Sequence, residues 1–137
     1  MTTNHQSILD PDLADRFAAI DVGTNSIRLI VAEAQRDGSY RILDDEKEST
    51  RLGKNLDGQG RLDPDAVEAS IIALRRMYQI VQGYQVRKLR AIATCAVREA
   101  VDGEDFIRRA KQEIGLSIEV IYSQQEAQLA YYSVAAN

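Results

Sequence analysis

From Phe17 to Val31 the chain sets two short apolar runs on either side of a polar turn. Phe17-Ala18-Ala19-Ile20 ends in Asp21, Gly23-Thr24-Asn25-Ser26 interrupts, and Ile27 to Val31 resumes. Two β-rich runs joined by Gly, Thr, Asn and Ser predict a hairpin with strands over Arg16–Asp21 and Ser26–Glu33. Asp37-Gly38 is a second hairpin signal, and the weak alternation from Tyr40 to Glu48 predicts a third antiparallel strand. Thr50 to Asp63 carries Arg51-Leu52-Gly53, Asp57-Gly58 and Gly60, and reads as a surface connection. Asp63-Pro64 then opens a helix, with Asp63 as N-cap and Pro64 in the first turn. Val67, Ile71, Leu74, Met77-Tyr78 and Val81 recur every three or four residues, which gives one amphipathic helix ending near Gly83.

The β-rich run Val86 to Thr94 follows that helix, so it is expected to return parallel to the first strand by a right-handed crossover. Cys95 to Ala100 starts another helical turn. Asp102-Gly103 interrupts it, and Phe106, Ala110 and Ile114 continue at helical spacing to Gly115. Ser117 to Ile121 is a fifth strand, and Ser123-Gln124-Gln125-Glu126 resembles a helix cap with a capping-box glutamate. A last helix is expected through Leu129, Tyr132 and Val134. Met1 to Asp15 shows no period and is expected to be a flexible tail. The order βββαβαβα implies an α/β, ribonuclease-H-like half-domain: a five-stranded mixed sheet, first strand central, fourth and fifth parallel beside it. In open α/β sheets ligands gather at the carboxyl ends of the parallel strands. Asp21, Thr94 and the Tyr122-Ser123 corner all fall at such ends.

Composition narrows the chemistry. With 137 residues, 45% apolar and 28% charged, the chain fits one globular domain with a real core. A formal net charge of -4 argues against broad nucleic-acid binding. Nothing resembles a signal peptide or a membrane span, and the single Cys95 cannot form an internal disulfide, so the cytoplasm is the expected compartment. The lone His5 lies in the polar tail, which leaves no histidine triad and no zinc cluster. Chemistry must come from carboxylates, hydroxyls, arginines and backbone amides.

Three stretches could supply it. The Gly23–Ser26 turn can form an anion-binding nest, and Asp21 beside it makes sense if a divalent cation lies between carboxylate and phosphate; an ordinary capped hairpin explains the same residues. Arg98, one turn past Thr94, could grip a phosphate with two donors or form a salt bridge to Glu99, Asp102 or another acid. Cys95 reads as a small buried residue with nothing to activate its thiol. Glu126 could orient or deprotonate water for attack on a phosphoryl group, or simply cap its helix.

A family resemblance bears on all three. Asp21-Val22-Gly23-Thr24-Asn25-Ser26-Ile27-Arg28-Leu29, Arg51-Leu52-Gly53, Ala93-Thr94-Cys95-Ala96-Val97-Arg98-Glu99-Ala100, and Ile118 to Ala127 occur in order and spacing. Together they resemble the N-terminal domain of the exopolyphosphatase and guanosine pentaphosphate phosphatase family, within the actin, Hsp70 and sugar kinase superfamily (actin-like ATPase fold). The resemblance implies phosphate contacts from Gly23, Thr24, Asn25, Ser26, Arg28, Thr94, Cys95 and Arg98. It implies that Asp21 serves Mg2+ or Mn2+ and that Glu126 activates the attacking water. Cys95 stands where many members carry serine, which removes a hydroxyl there. The implied reaction releases orthophosphate from inorganic polyphosphate or guanosine pentaphosphate. The family's second phosphate loop, Asp-x-Gly-Gly-Gly-Ser, opens a second domain that the sequence does not reach, so one wall of an interdomain cleft and weak turnover alone are expected. A homodimer through uncovered apolar surface is a further expectation. A sugar- or acetate-kinase-like phosphotransferase and a non-catalytic polyphosphate or alarmone-binding module are the alternatives.

Overall fold

The computed structural model describes residues 15–54 and 56–122. The predicted tail before Asp15, the capping segment with Glu126 and the last helix lie outside the described residues. Asp15 itself is engaged: its carbonyl accepts from Ala34 N at 2.7 Å and its carboxylate pairs with Arg87 at 3.0 Å.

Three strands open the fold: β1 (Arg16–Val22), β2 (Ile27–Ala34) and β3 (Tyr40–Glu48). β1 and β2 pair antiparallel with Val22 opposite Ile27, and β2 pairs antiparallel with β3. Gly38, at φ 88°, occupies the left-handed turn position between β2 and β3 that a side chain would strain. β4 (Lys88–Ala93) runs parallel to β1, and β5 (Ile118–Val120) parallel to β4, giving the five-stranded order β3-β2-β1-β4-β5. The first strand is central, as the element order implies.

Four helices accompany the described strands. A short α1 (Leu56–Gln59) stands where the sequence suggests only a connection. α2 (Pro64–Tyr84) begins where the Asp63-Pro64 signal puts it: Asp63 Oδ2 accepts from Ala66 N at 2.9 Å. α3 (Cys95–Glu99) and α4 (Gly103–Glu113) are separated at Asp102-Gly103. Strand alternation sends Ala18, Ile20, Val22, Leu29 and Val31 to one face, where they pack with Leu74, Met77 and Phe106 of α2 and α4. Burying each large aliphatic side chain there stabilises the fold by roughly 1.5–3 kcal/mol. The opposite alternation sends Asp21 to the other face, at the carboxyl end of the central strand.

Candidate functional site

Asp21 is the second-last residue of β1 and sits between Arg28 of β2 and Ile92 of β4 in the ladder. It is partly buried, yet its Oδ1 is fully buried and has no hydrogen-bond partner among the described residues. Burial pushes its carboxyl above the ordinary aspartate range, and the charge of Arg28 pulls it back. A buried carboxylate oxygen with no donor is costly and calls for a reason. It fits an oxygen ligand for a hard divalent cation. Among the described residues no group of three or more acidic, histidine or cysteine side chains is placed to hold a metal ion.

The turn beside it is held by backbone bonds. Gly23 N donates to Ser26 O at 2.9 Å and closes the loop around Thr24 and Asn25. The loop after β3 then reaches across: Gly53 N donates to Thr24 O and Arg51 N to Asn25 O, both at 3.1 Å. The N–H groups of Thr24, Asn25 and Ser26 have no acceptor among the described residues. Three consecutive amides without acceptors among the described residues leave donors at a strand end that an anion could use.

The second predicted segment meets the first here. Thr94 N donates to Val22 O at 3.2 Å, tying the end of β4 to the end of β1. Thr94 is the N-cap of α3 by position, with no side-chain cap bond. Arg98 pairs with neither Glu99 nor Asp102: it donates to Ile121 O at 3.3 Å and lies 3.8 Å from Cys95 Sγ. With Val101, Glu104, Ile107 and Tyr122, Arg98 lines a cleft of about 260 Å³. Cys95 corrects the sequence reading, because it is exposed rather than buried. It opens α3 at the rim, where Ala96 and Val97 take the core positions of that short helix.

Arg28, also expected at the phosphate, stands opposite Asp21 in the ladder and pairs with a carboxylate of the next strand. Its guanidinium grips Asp45 of β3 with two bonds, Nε–Oδ1 at 3.1 Å and Nη2–Oδ2 at 2.8 Å. Gly23–Ser26, Asp21, Thr94 and Arg98 share one sheet edge, whereas Glu126 lies outside the described residues. The loop Arg51-Leu52-Gly53 is what sequence reasoning undervalued. A Cβ on Gly53 would lie 2.5 Å from Thr24 Cγ2, so with threonine at 24 a side chain here would push the Thr24 methyl group aside. The signal was its place in the motif series, not its composition.

Antiparallel β3-β2-β1 followed by parallel β4 and β5, with a glycine turn after the central strand, defines a ribonuclease-H-like α/β domain of the actin-like kind. The model of the Ppx/GppA phosphatase family matches residues 29–137, and the chain belongs to that family. The family member from Aquifex aeolicus superposes with a TM-score of 0.81 at 36% identity, over 88% of this chain and 39% of that one. An exopolyphosphatase from Cytophaga hutchinsonii gives 0.77 at 30% identity, over 84% of this chain and 36% of that one. A protein described as exopolyphosphatase-like gives 0.76 at 32% identity, covering 85% and 35%. The chain therefore spans well under half the length of these solved relatives. Among the described residues no helix is long and apolar enough to cross a membrane.

Proposed function

We propose that this chain forms one wall of an active site that hydrolyses terminal phosphoanhydride bonds of inorganic polyphosphate, with guanosine pentaphosphate as the alternative substrate, and releases orthophosphate. The observation that carries the proposal is the buried Asp21 Oδ1 beside three turn amides, all without a hydrogen-bond partner among the described residues. Acid and nest answer the two halves of one ligand, a cation and the phosphate it accompanies. Asp21 would hold Mg2+ or Mn2+, whose charge would offset that of the phosphate oxygens. The turn amides of Thr24, Asn25 and Ser26 bind and orient the terminal phosphate. Arg98 and Thr94 line its approach, and Arg98 is near enough to the rim to change partners from Ile121 O to a phosphate oxygen. Glu126 is assigned the water-activating role. The matched relatives continue far beyond the shared part, and we assign the opposite wall to a second domain of that kind. The exposed, single thiol fits a reducing compartment, and we place the protein in the cytoplasm.

The test is orthophosphate release from polyphosphate with magnesium, by the chain alone and by the chain joined to a second domain from a family member. Little or no turnover is expected from the chain alone, because a cleft with one wall lacks positioning and charge stabilisation. The joined protein should turn over, and Glu126→Gln should abolish it. Unchanged release in that variant would return Glu126 to a helix cap. An inactive joined protein would overturn the hydrolase reading.

A further inference from the structure

We infer that Gly53 is a positioning residue, and that the loop it belongs to aims the turn amides at the phosphate; this rests on the phosphate-site reading above. The peptide unit is planar and trans, so a carbonyl and the N–H of the next residue point in opposite directions. Thr24 O and Asn25 O are both drawn toward the loop after β3, by Gly53 N and Arg51 N. The same two peptide units carry the N–H groups of Asn25 and Ser26, which must therefore face away from that loop. One pair of backbone bonds thus fixes the direction of two nest donors.

The loop accepts two constraints to stay in that position. Arg51 holds φ at 56°, a left-handed conformation unusual for a residue with a side chain. Gly53 sits so close to the turn that a methyl group there would lie 2.5 Å from Thr24 Cγ2. The next nearest atom, Ala96 Cβ at 3.5 Å, is at ordinary contact distance, so Thr24 alone would have to give way. Loop and turn are further tied to the start of α2, since Asp63 N donates to Leu52 O at 3.4 Å. Displacing Thr24 tilts the peptide units on either side of it and misdirects the donors without touching the core.

Binding of tripolyphosphate with magnesium to the full chain, by calorimetry and by amide shifts, tests this. Gly53→Ala should weaken affinity at least tenfold. Adding Thr24→Ser, which removes the methyl group that the new Cβ meets and keeps the hydroxyl, should restore most of it. Gly58→Ala, where a Cβ meets nothing within 4 Å, is the control and should bind like the parent. In the unaltered chain the Asn25 and Ser26 amides should shift most on titration, while those of Arg51 and Gly53 hold still; this readout stands even if Gly53→Ala fails to fold. Parent-like affinity in Gly53→Ala, a loss that Thr24→Ser does not repair, or largest shifts at Arg51 and Gly53 would each overturn the inference and leave the phosphate site intact. Absence of any binding by the parent chain would overturn the site itself, and the inference with it.

Discussion

Asp21 is held at a cost. Its Oδ1 is buried with no donor among the described residues, and its carboxyl is pushed above the usual range chiefly by burial, against the pull of Arg28. For a carboxyl whose folded pKa is raised, the protonated form favours the fold. Stability should therefore fall as pH rises from the ordinary aspartate range through the raised value, and stay lowered at neutral pH. Asp21→Asn removes the charge, and should raise stability at pH 7 by about 1 kcal/mol in the absence of metal, read as a higher Tm. Magnesium should raise the Tm of the parent chain and leave that of Asp21→Asn unmoved. Equal magnesium shifts in both would remove Asp21 from the metal site. The residue was legible in the sequence because strand ends and glycine turns are local signals. Cys95 was not: inside or outside depends on how a five-residue helix is rotated on its neighbours, and that is tertiary information.

The strands, α2 and its cap follow from periodicity and turn chemistry, and their observed ends lie within two residues of the expected ones at nearly every boundary. α1 escaped because four residues with a glycine among them carry no helical period. The break between α3 and α4 was visible as Asp102-Gly103, but its reason appears only in the packing. A Cβ on Gly103 would lie 1.9 Å from Val97 O, so α4 starts against the backbone of α3 and only glycine fits. Asp102 Oδ1 also accepts from Leu62 N at 3.0 Å, and Val101 N donates to Gly60 O at 2.8 Å, which binds this junction to the connection between α1 and α2. Gly103→Ala should destabilise the chain by at least about 2 kcal/mol, measured by denaturant unfolding, because backbone rather than a flexible side chain must move. A change under about 0.5 kcal/mol would mean that the junction yields freely. The contrast with Gly53 is instructive, since there the obstacle is one methyl group and the expected damage is to binding.

Across the whole molecule the β1–β2 hairpin carries a buried or partly buried acid at each end, and the two are shifted in opposite directions. Asp21 stands at the edge with the turn, and Glu33 lies at the far end, paired across the ladder with Arg16. Glu33 is 7% exposed and fully engaged: Arg16 at 3.0 Å, Arg41 at 3.1 Å and Gln35 at 3.2 Å all donate to its carboxylate. Arg16 continues to Tyr84 O at 3.2 Å, which fastens the end of α2 to the same corner. The hydrogen bond from Arg16, then Gln35 and the charges of both arginines, outweigh burial and hold the Glu33 carboxyl below the usual glutamate range. Here the sign reverses: the stabilisation is complete above the ordinary glutamate value and is lost as pH falls through the lowered one. Arg41 is largely exposed and Arg16 partly so, so solvent screens the charge part, and the hydrogen bonds to a buried acceptor carry most of the effect. Glu33→Gln should cost about 1–3 kcal/mol at pH 7 and flatten the acid limb of the stability profile. It should leave magnesium-dependent tripolyphosphate binding unchanged at temperatures where the variant is folded. A variant as stable as the parent at pH 7 would show that the cluster contributes only surface pairing. Lost binding in the folded variant would show that the two ends are coupled through the hairpin, against the separation of stability and phosphate binding argued here.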